Sequence, residues 1–498
     1  MGQLKMDLPL ILEPGSSISM HKQLTRALKD AIQSGRLAPG QMLPSSRDLA
    51  QSLGISRDTI VRSYDDLSSQ GFIQMKTARG TFVSQNPPGQ ISSVSEQTVM
   101  DGTVLPALPV LSAFASRLIG LSGCSPGCAD IVELNHGAAP ADVLPVAIWR
   151  QMLSRRCAAA DPTCFEYAEE EIFGYRPLRQ QISRFLNHAK GLSSAPNNVI
   201  VFSDSQSHLD LVARMTINPG DLVVCENPGY TGARELFQAY GARIHTVPVD
   251  EHGMMVAPLH QLQERCKLLY VTPSHHDPTG AVMPLARRLE LLSWAESNCD
   301  FIVEDGFDSD YFYDNVPPPA IQSLTSTVRV FYIYSFWKTL FPLVSTGCLV
   351  LPPELVDSFC KAKLYLQRNF SLLEHQTLTD FLAEGHLERH IHKTRSLYNR
   401  RKQALTVALK RAFQKQIFFL GDSAGLHFAV RFALPFGADD LLRCAAEAGL
   451  YMATTSNHYA HDAVDLEFLV NFASIDASQA DHIVAKFADG ISALFQRE

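Results

Sequence analysis

Apolar residues recur at helical spacing in residues 20–70. Leucine, alanine and isoleucine follow Met20 at intervals of three or four and predict a helix that ends at Gly35. A second helix is predicted from Ser45 or the serine after it, and a third from Ser56, with a glycine in the turn between them. Two short helices joined in this way are typical of a helix-turn-helix. The segment FIQMKTARGTFVS then predicts two short strands, a wing.

Three polar residues of the third predicted helix lie outside its apolar stripe. These are Arg57, Thr59 and Arg62, all near the N-terminal half. Base edges and phosphates are contacted from there when such a helix enters the major groove of DNA. A small helical packing module with a solvated polar face would show the same pattern, so the pattern alone leaves both interpretations open.

Strand-like and helical runs alternate in the second half of the chain. The strand-like runs are NNVIVFS, DLVVCE, RIHTVPV, KLLYVTP, DFIVED and VRVFYIYSF, and helical runs begin at Ser205, at Gly232 and near residue 285. This alternation predicts an α/β domain with a doubly wound, mostly parallel sheet. Ligands bind such sheets beyond the carboxyl ends of the strands.

A segment rich in Ser, Gly and Pro at both ends separates these two regions. We predict a winged helix-turn-helix domain at 14–84, a linker at 85–131 and a large domain at 132–498. The large domain is expected to end in a smaller α+β part. The middle of the linker, LPALPVLSAFASRLIGL, is apolar and suited to docking on the large domain.

Composition describes a soluble protein of several domains, with 498 residues, 46% apolar and 19% charged. No apolar run approaches the roughly 20 residues that cross a bilayer, and the N-terminus does not resemble a signal peptide. We expect a cytoplasmic protein with free thiols, and no metal site at Cys124 and Cys128, the closest cysteine pair. Residues 1–84 carry ten Lys/Arg and seven Asp/Glu, a balance of +3; since the chain carries −8, the rest carries −11. This weakly favours a head that meets a polyanion.

Residues with possible chemistry stand at the predicted strand ends: Ser205-Gln206, His275-His276-Asp277, Asp305 and Lys338. Lys338 follows a core strand, although lysine is rarely buried without a partner. Ser205 and Gln206 begin a helix, where they either cap it or hold a phosphate. Asp305 is either structural or the partner of a protonated pyridine nitrogen, and Tyr230 follows a turn that can present its ring for stacking. Together these residues favour a pyridoxal phosphate site.

The N-terminal segment resembles the winged helix-turn-helix of GntR-type bacterial transcription regulators. The motifs that carry the resemblance are GRLAPGQMLPSSRDLAQSLGISRDTIVRSYDDLSSQGFI and ARGTFV. The resemblance implies that the protein contacts double-stranded DNA through Arg47, Ser56, Arg57, Thr59 and Arg62, and through the wing residues Arg79, Gly80 and Thr81. The family usually has a small residue where Arg79 stands.

The large domain resembles fold-type I aminotransferases and, more closely, the aminotransferase-like domain of the MocR/GabR subfamily of GntR regulators. The motifs include FGYRPLRQQIS, ENPGYTGAR, TPSHHDPTGAVMP, VEDGFDSDY and SFWKTLFP. The resemblance implies that Lys338 forms a Schiff base with pyridoxal phosphate, that Asp305 pairs with its pyridine nitrogen and that Tyr230 stacks on its ring. Ser205, Gln206 and Ser335 would hold the phosphate.

Several positions depart from that family. Ser345 stands where an arginine usually grips the phosphate, Asp204 replaces a glycine before the phosphate-binding serine, and Phe307 replaces a tyrosine that bonds the 3′-oxygen. Trp337 replaces a small residue, and Asp277 stands for the usual asparagine. DLEFLVNFASID contains no arginine to clamp a substrate carboxylate.

We therefore expect a non-enzymatic, sequence-specific transcription regulator. Its large domain would form a homodimer and sense pyridoxal phosphate, or an amine or amino-acid effector, without ordinary transaminase turnover. Two alternatives stay open: a regulator whose degenerate pocket no longer binds pyridoxal phosphate, and an active pyridoxal-phosphate-dependent aminotransferase.

Overall fold

The computed structural model describes residues 12, 18–76, 79–88, 111–121, 139–158, 172–313, 317–421 and 423–496. These residues divide into two compact units, one within Met1–Pro109 and one within Val110–Glu498. Cys124 and Cys128 lie outside the described residues, as does most of the predicted linker. Within the described ranges, no helix combines the length and apolar character needed to cross a membrane.

The first unit is a winged helix-turn-helix, as predicted. Its elements are α1 (Met20–Gln33), α2 (Ser46–Leu53), α3 (Arg57–Ser69), β1 (Met42–Leu43), β2 (Ile73–Lys76) and β3 (Gly80–Val83). The strands form an antiparallel sheet in the order β1-β3-β2. Ser45 and Ser56 cap α2 and α3, because their side chains accept hydrogen bonds from the backbone N–H groups of Asp48 and Thr59. Gly54 has a φ of 65° and makes the tight turn between the two helices.

The second unit has the predicted α/β architecture. Its helices are α4 (Ala113–Ile119), α5 (Val146–Ala158), α6 (Arg176–Lys190), α7 (Ser205–Thr216), α8 (Thr231–Ala239), α9 (Leu285–Asn298), α10 (Trp337–Leu340), α11 (Val356–Leu366), α12 (Leu372–Ala383), α13 (His386–Phe413), α14 (Ala438–Ala448) and α15 (Ala480–Phe495). Its strands are β4 (Val199–Phe202), β5 (Leu222–Asn227), β6 (Arg243–Asp250), β7 (Gly253–Met254), β8 (Cys266–Val271), β9 (Cys299–Asp305), β10 (Arg329–Ser335), β11 (Gly347–Val350), β12 (Ile417–Gly421), β13 (His427–Phe432), β14 (Met452–Thr454) and β15 (Glu467–Asn471).

The large sheet has eight strands in the order β4-β11-β10-β9-β8-β5-β6-β7. The strands β10, β9, β8, β5 and β6 run parallel, and β11 is antiparallel to both of its neighbours. The remaining strands form a separate antiparallel sheet, β12-β13-β15-β14, which confirms the smaller C-terminal α+β part.

The register brings the predicted site residues to one edge of the large sheet. Ser335 at the end of β10 pairs with Gly347 of β11, and Gly347 pairs with Phe202 at the end of β4. Because β9 runs parallel to β10, Asp305 ends at the same edge and pairs with Ile333. The carboxyl ends of β4, β9 and β10 therefore face one common region.

The apolar middle of the predicted linker forms α4, which packs on α8. The rings of Phe114 and Tyr240 have centroids 4.9 Å apart. The Nε of Arg117 donates a hydrogen bond of 2.8 Å to the carbonyl of Ala239. This helix therefore belongs to the surface of the large domain.

A fully buried ion pair supports the strand that carries Asp305. Arg288 on α9 donates hydrogen bonds to the carbonyls of Pro273, Met283 and Pro319, and its Nη1 lies 3.7 Å from Oε1 of Glu304. The Glu304 carboxylate also accepts hydrogen bonds from two backbone N–H groups. Since Glu304 precedes Asp305, this pair fixes the end of β9.

We expect Arg288→Met to lower the free energy of unfolding by about 3–5 kcal/mol, because it leaves the Glu304 carboxylate buried without its cation. The matched control is Arg287→Met, which removes a partly exposed pair with Asp250 and should cost under about 1 kcal/mol. Urea unfolding followed by far-UV circular dichroism measures both. Equal losses in the two variants would show that the buried pair has no special role.

Candidate functional site

The N-terminal end of α3 is organised by hydrogen bonds among the predicted DNA-contacting residues. The hydroxyls of Ser56 and Thr59 lie 2.8 Å apart, and Ser56 also caps the helix. Arg57 is exposed, and its Nε donates to the hydroxyl of Ser46 on α2 over 3.4 Å. Arg62, also exposed, lies further along α3. The structure thus places these residues at the start of one exposed helix.

The other predicted DNA contacts lie on α2 and on the wing. Arg47 is exposed on the first turn of α2, and Arg79 is exposed in the turn between β2 and β3. Gly80 has a φ of 107°, a conformation that favours glycine, and it starts β3 ahead of Thr81. Within the described part of the chain, none of the four arginines at positions 47, 57, 62 and 79 forms an ion pair. Their charges are therefore available to an external polyanion.

Lys338 lies on the short helix α10, immediately beyond β10. It is only 9% exposed, and its Nζ lies 3.8 Å from Oδ2 of Asp308. The same Nζ lies 5.2 Å from the ring centroid of Phe307 and 5.3 Å from that of Trp337. Ser335 accepts a hydrogen bond from the backbone N–H of Trp337, which fixes the turn before the lysine. The amine is thus buried between two aromatic rings and one carboxylate.

Asp305 is a buried carboxylate with two hydrogen-bond donors. Its Oδ2 accepts a bond of 2.8 Å from the hydroxyl of Tyr270 on β8, and its Oδ1 accepts one of 3.0 Å from the backbone N–H of Phe307. Burial raises the pKa of Asp305 to about 6, against the lowering effect of these two bonds. The group is therefore mostly ionised at neutral pH, as a partner for a protonated pyridine nitrogen must be.

A buried histidine lies beside Asp308. The Nδ1 of His275 is 3.4 Å from Oδ2 of Asp308, and its ring centroid is 5.0 Å from that of His427 on β13. Gly425 permits this packing, because a Cβ there would lie 2.2 Å from Cε1 of His275. Burial lowers the pKa of His275, which favours its neutral form. The ammonium of Lys338 and a neutral imidazole thus face the same carboxylate.

Tyr230 and Gln206 link the starts of two helices. The Tyr230 hydroxyl donates to Oε1 of Gln206 over 3.1 Å, and Nε2 of Gln206 donates to the carbonyl of Gly232 over 3.1 Å. The Tyr230 ring centroid lies 6.5 Å from that of Tyr270, the residue that bonds Asp305. The predicted stacking ring therefore stands next to the predicted ring-nitrogen partner.

The turn between β4 and α7 departs most from a phosphate site. Asp204 caps α7, where Ser205 begins the helix, and accepts bonds from both the N–H and the hydroxyl of Ser207, at 2.7 and 2.8 Å. The exposed carboxylate of Asp204 thus accepts the hydrogen bond of a backbone N–H group that would otherwise be available to a phosphate. The hydroxyl of Ser345 donates to the carbonyl of Ser203 over 3.0 Å.

The residues present fit the ring of pyridoxal phosphate better than its phosphate. The buried amine of Lys338, the ionised carboxylate of Asp305 and the ring of Tyr230 supply groups suited to the aldehyde, the ring nitrogen and the ring face. The phosphate end has hydroxyl and amide donors, but a serine in place of the expected arginine.

The strand β15 carries no arginine that could clamp a substrate carboxylate. Its residue Glu467 pairs with Arg431 on β13, whose Nη2 lies 2.9 Å from Oε2 of that buried carboxylate.

His275 was predicted to lie at a strand end but was given no role, whereas Asp308 and Tyr270 were not predicted as parts of the site. Asp308 lies three residues after Asp305, so its position beyond the end of a strand was available as a signal. Tyr270 is the penultimate residue of β8, and the parallel pairing of β8 with β9 sets it opposite Val303, two residues before Asp305.

Asp305→Asn should change how stability depends on pH. The folded pKa of Asp305 lies above its ordinary value, so the stability it contributes is complete below about pH 4 and is lost as pH rises through about 6. Without ligand, we expect the free energy of unfolding of the variant, relative to that of the natural protein, to rise by up to about 3 kcal/mol between pH 4 and pH 7. Urea unfolding at both pH values measures this.

Asp300→Asn on the same strand is the control with the opposite sign. Partial burial raises the pKa of Asp300, but hydrogen bonds from Lys267 and Arg265 bring it below its ordinary value. This variant should lose stability relative to the natural protein as pH rises from about 3 to 7. A gain in the stability of Asp305→Asn that does not depend on pH would contradict a raised pKa of Asp305.

Comparison with known proteins identifies both units. The family of bacterial regulatory proteins, gntR family, matches residues 20–83, and the family aminotransferase class I and II matches residues 129–487. The probable rhizopine catabolism regulatory protein MocR of Rhizobium meliloti is 29% identical over 94% of this chain and 92% of its own length. The HTH-type transcriptional regulator TauR of Rhodobacter capsulatus is 30% identical over 80% of this chain and 81% of its own.

Among solved structures, the large domain is similar to LysN, an α-aminoadipate aminotransferase from Thermus thermophilus crystallised with N-(5′-phosphopyridoxyl)-L-leucine. The TM-score is 0.68 at 23% identity, over 78% of this chain and 98% of LysN, a likeness that shows the fold. The chain therefore belongs to the aminotransferase class I and II family and, through its GntR-type head, to the transcription regulators of the MocR/GabR subfamily.

Proposed function

We propose that this protein is a sequence-specific DNA-binding transcription regulator whose large domain senses pyridoxal phosphate, or an amine or amino-acid effector, without ordinary transaminase turnover. The observation that carries the proposal is one chain that combines exposed, unpaired arginines on a winged helix with a buried Lys338–Asp305 site. The strand β15 of the same domain carries no arginine for a substrate carboxylate.

The head supports DNA binding through its charge and its geometry. Arg57 and Arg62 lie on the helix that enters the major groove in proteins of this class, and Arg47 and Arg79 flank it on α2 and the wing. Phosphate contacts from such side chains supply affinity, and contacts to base edges supply specificity. A homodimer of the large domain would present two heads to paired half-sites.

The large domain supports ligand capture at Lys338. When bound, pyridoxal phosphate supplies a reactive aldehyde and an electron-withdrawing ring. Lys338 would hold the aldehyde end, Asp305 would hold the proton on the ring nitrogen, and Tyr230 would cover one ring face. Asp308, whose Oδ2 lies 3.8 Å from Nζ of Lys338, would help to orient that amine.

Turnover of an amino acid needs its carboxylate held in a fixed orientation, because proton abstraction depends on that alignment. A bidentate arginine usually provides this. Here β15 has no arginine. Ligand binding in this domain would therefore shift its conformation and the heads, and would not consume the ligand.

A second candidate is a regulator that no longer binds pyridoxal phosphate. The observation that favours it is the turn before α7, where the Asp204 carboxylate occupies a helix N-terminal amide and Ser345 replaces the expected arginine. The pocket would then take another ligand or serve dimerisation.

Arg57→Ala should weaken binding to DNA from the region upstream of the protein's own gene by about tenfold. The slope of log affinity against log salt should fall by about one, because one phosphate contact is lost. Lys29→Ala is the matched control, since Lys29 lies over the Phe72 ring at 4.8 Å and bonds Gln70 at the other end of α3. Fluorescence anisotropy at several salt concentrations measures both. Equal effects in the two variants would argue against the assigned DNA face.

Purified protein titrated with pyridoxal phosphate should develop a visible absorption band that Lys338→Ala abolishes. Lys361→Ala, which changes an exposed lysine on α11, should leave the band unchanged. Absence of the band in the natural protein at saturating cofactor would favour the second candidate. A band that persists in Lys338→Ala would assign the reaction to another amine.

A further inference from the structure

A buried cation lies behind the turn that lacks its arginine. Lys363 on α11 has no exposed surface, and its Nζ donates one hydrogen bond of 3.2 Å to the carbonyl of Gln367. The same Nζ lies 5.0 Å from the ring centroid of Phe202, the last residue of β4. In the described part of the chain Lys363 forms no ion pair. An ammonium buried in this way is costly to the fold.

The groups that face Lys363 do not neutralise its charge. Burial lowers the pKa of His208 on α7 to about 4 and that of His375 on α12 to about 3, and the charge of Lys363 adds to both shifts. Both imidazoles are therefore neutral near pH 7. Partial burial raises the pKa of Cys360, on the same helix, so it stays a thiol. Asp204, which acts on His208, is exposed and bonded to Ser207.

Hydrogen bonds connect Lys363 to the phosphate end of the site. Gln367, whose carbonyl accepts from Lys363, donates from Nε2 to the hydroxyl of Ser203 over 2.5 Å. The carbonyl of Ser203 accepts from Ser345, the residue at the position of the missing arginine. A groove of about 440 Å³ runs beside this turn, and Phe202, Gln206 and Gln367 contribute to its wall together with the carboxylates of Asp204 and Asp210, so an anion there needs a cation to offset them. The uncompensated charge thus lies one hydrogen-bonded layer behind the start of α7.

We propose that Lys363 is the cation of an anion site at the turn between β4 and α7, and that it supplies the positive charge expected from an arginine at position 345. The ligand is a phosphate group, either as the monoester of pyridoxal phosphate or as free inorganic phosphate. The choice of pyridoxal phosphate as the physiological source rests on the proposed function. The charge acts through space and through Gln367 and Ser203, so Lys363 is a positioning and charge-compensating residue.

The first test separates the phosphate from the ring. Dissociation constants for pyridoxal phosphate and for pyridoxal, which lacks the phosphate, are measured by quenching of intrinsic fluorescence. Lys338→Ala is the background, so that no covalent step contributes. Lys363→Met in this background should bind pyridoxal phosphate about three- to tenfold more weakly, because a positive charge near the phosphate is lost. The affinity for pyridoxal should not change. Lys361→Met, an exposed lysine of the same helix, is the control and should change neither.

The second test needs no substitution of Lys363. Burial lowers the pKa of Lys363 to about 8, so its charge is lost as pH rises through that value. Both ligands also lose their ring-nitrogen proton in mildly alkaline solution, so between pH 7 and pH 9 the affinity of the Lys338→Ala protein should fall more for pyridoxal phosphate than for pyridoxal. In the double variant with Lys363→Met this difference should disappear. Since removal of an unpaired buried cation is neutral or stabilising, the variant should melt no lower than its parent.

The outcomes distinguish this inference from the proposed function. One outcome supports the anion site but not the cofactor. In it, the natural protein gives no absorption band, and inorganic phosphate raises the melting temperatures of the natural protein and of Lys361→Met but leaves that of Lys363→Met unchanged. If the band forms but Lys363→Met binds pyridoxal phosphate as its parent does, or loses pyridoxal equally, the inference is overturned. Absence of any response to pyridoxal phosphate and to inorganic phosphate also overturns it.

Discussion

The ionised carboxylate of Asp305 is the group on which the arrangement of the site depends. It lies buried at the end of a parallel strand, where the Tyr270 hydroxyl and the Phe307 N–H replace part of its lost hydration. Burial still raises its pKa to about 6, so the charge destabilises the fold at neutral pH until a cation meets it. The edge of the sheet is thus built to receive a positive partner, and a protonated pyridine ring is one.

The other buried groups around this edge are arranged so that they do not satisfy Asp305 from within. Arg288 pairs with Glu304, on the opposite face of the same strand, and Lys338 lies beside Asp308. Burial raises the pKa of Glu226 to about 8, so this neighbour is mostly protonated at neutral pH and adds little negative charge. Arg288 and Lys338 thus each lie beside another acid, and neither forms an ion pair with Asp305 in the described part of the chain.

The elements and their order could be predicted because each depends on local chemistry. Ser45 and Ser56 cap helices through their own next turn, and alternating apolar runs specify a parallel sheet whatever lies far away in the chain. The strand-end rule then identifies Asp305 and Lys338 without any knowledge of strand order.

The contacts that tune the site could not be predicted, because they join segments distant in sequence. The bond from Tyr270 to Asp305 requires that β8 lie next to β9, and the packing of His275 requires Gly425 from a turn far along the chain. The sequence alone predicts that Lys363 extends its charged end to the surface. In the structure its amine lies over the ring of Phe202. The periodicity of a sequence predicts which face of a helix is buried. Only the tertiary arrangement shows which charged side chain on that face has no ion-pair partner.

A site of this kind is suited to reporting a concentration. A transaminase must bind the reacting amino acid more tightly in the transition state than in the ground state, and a fixed carboxylate is a main source of that difference. β15 has no arginine to hold that carboxylate, so in the proposed function the binding energy would come from groups that hold the ring and the aldehyde of the ligand. Since the ligand would not be consumed, the occupied fraction would follow its free concentration, which is the quantity that a regulator has to transmit to DNA.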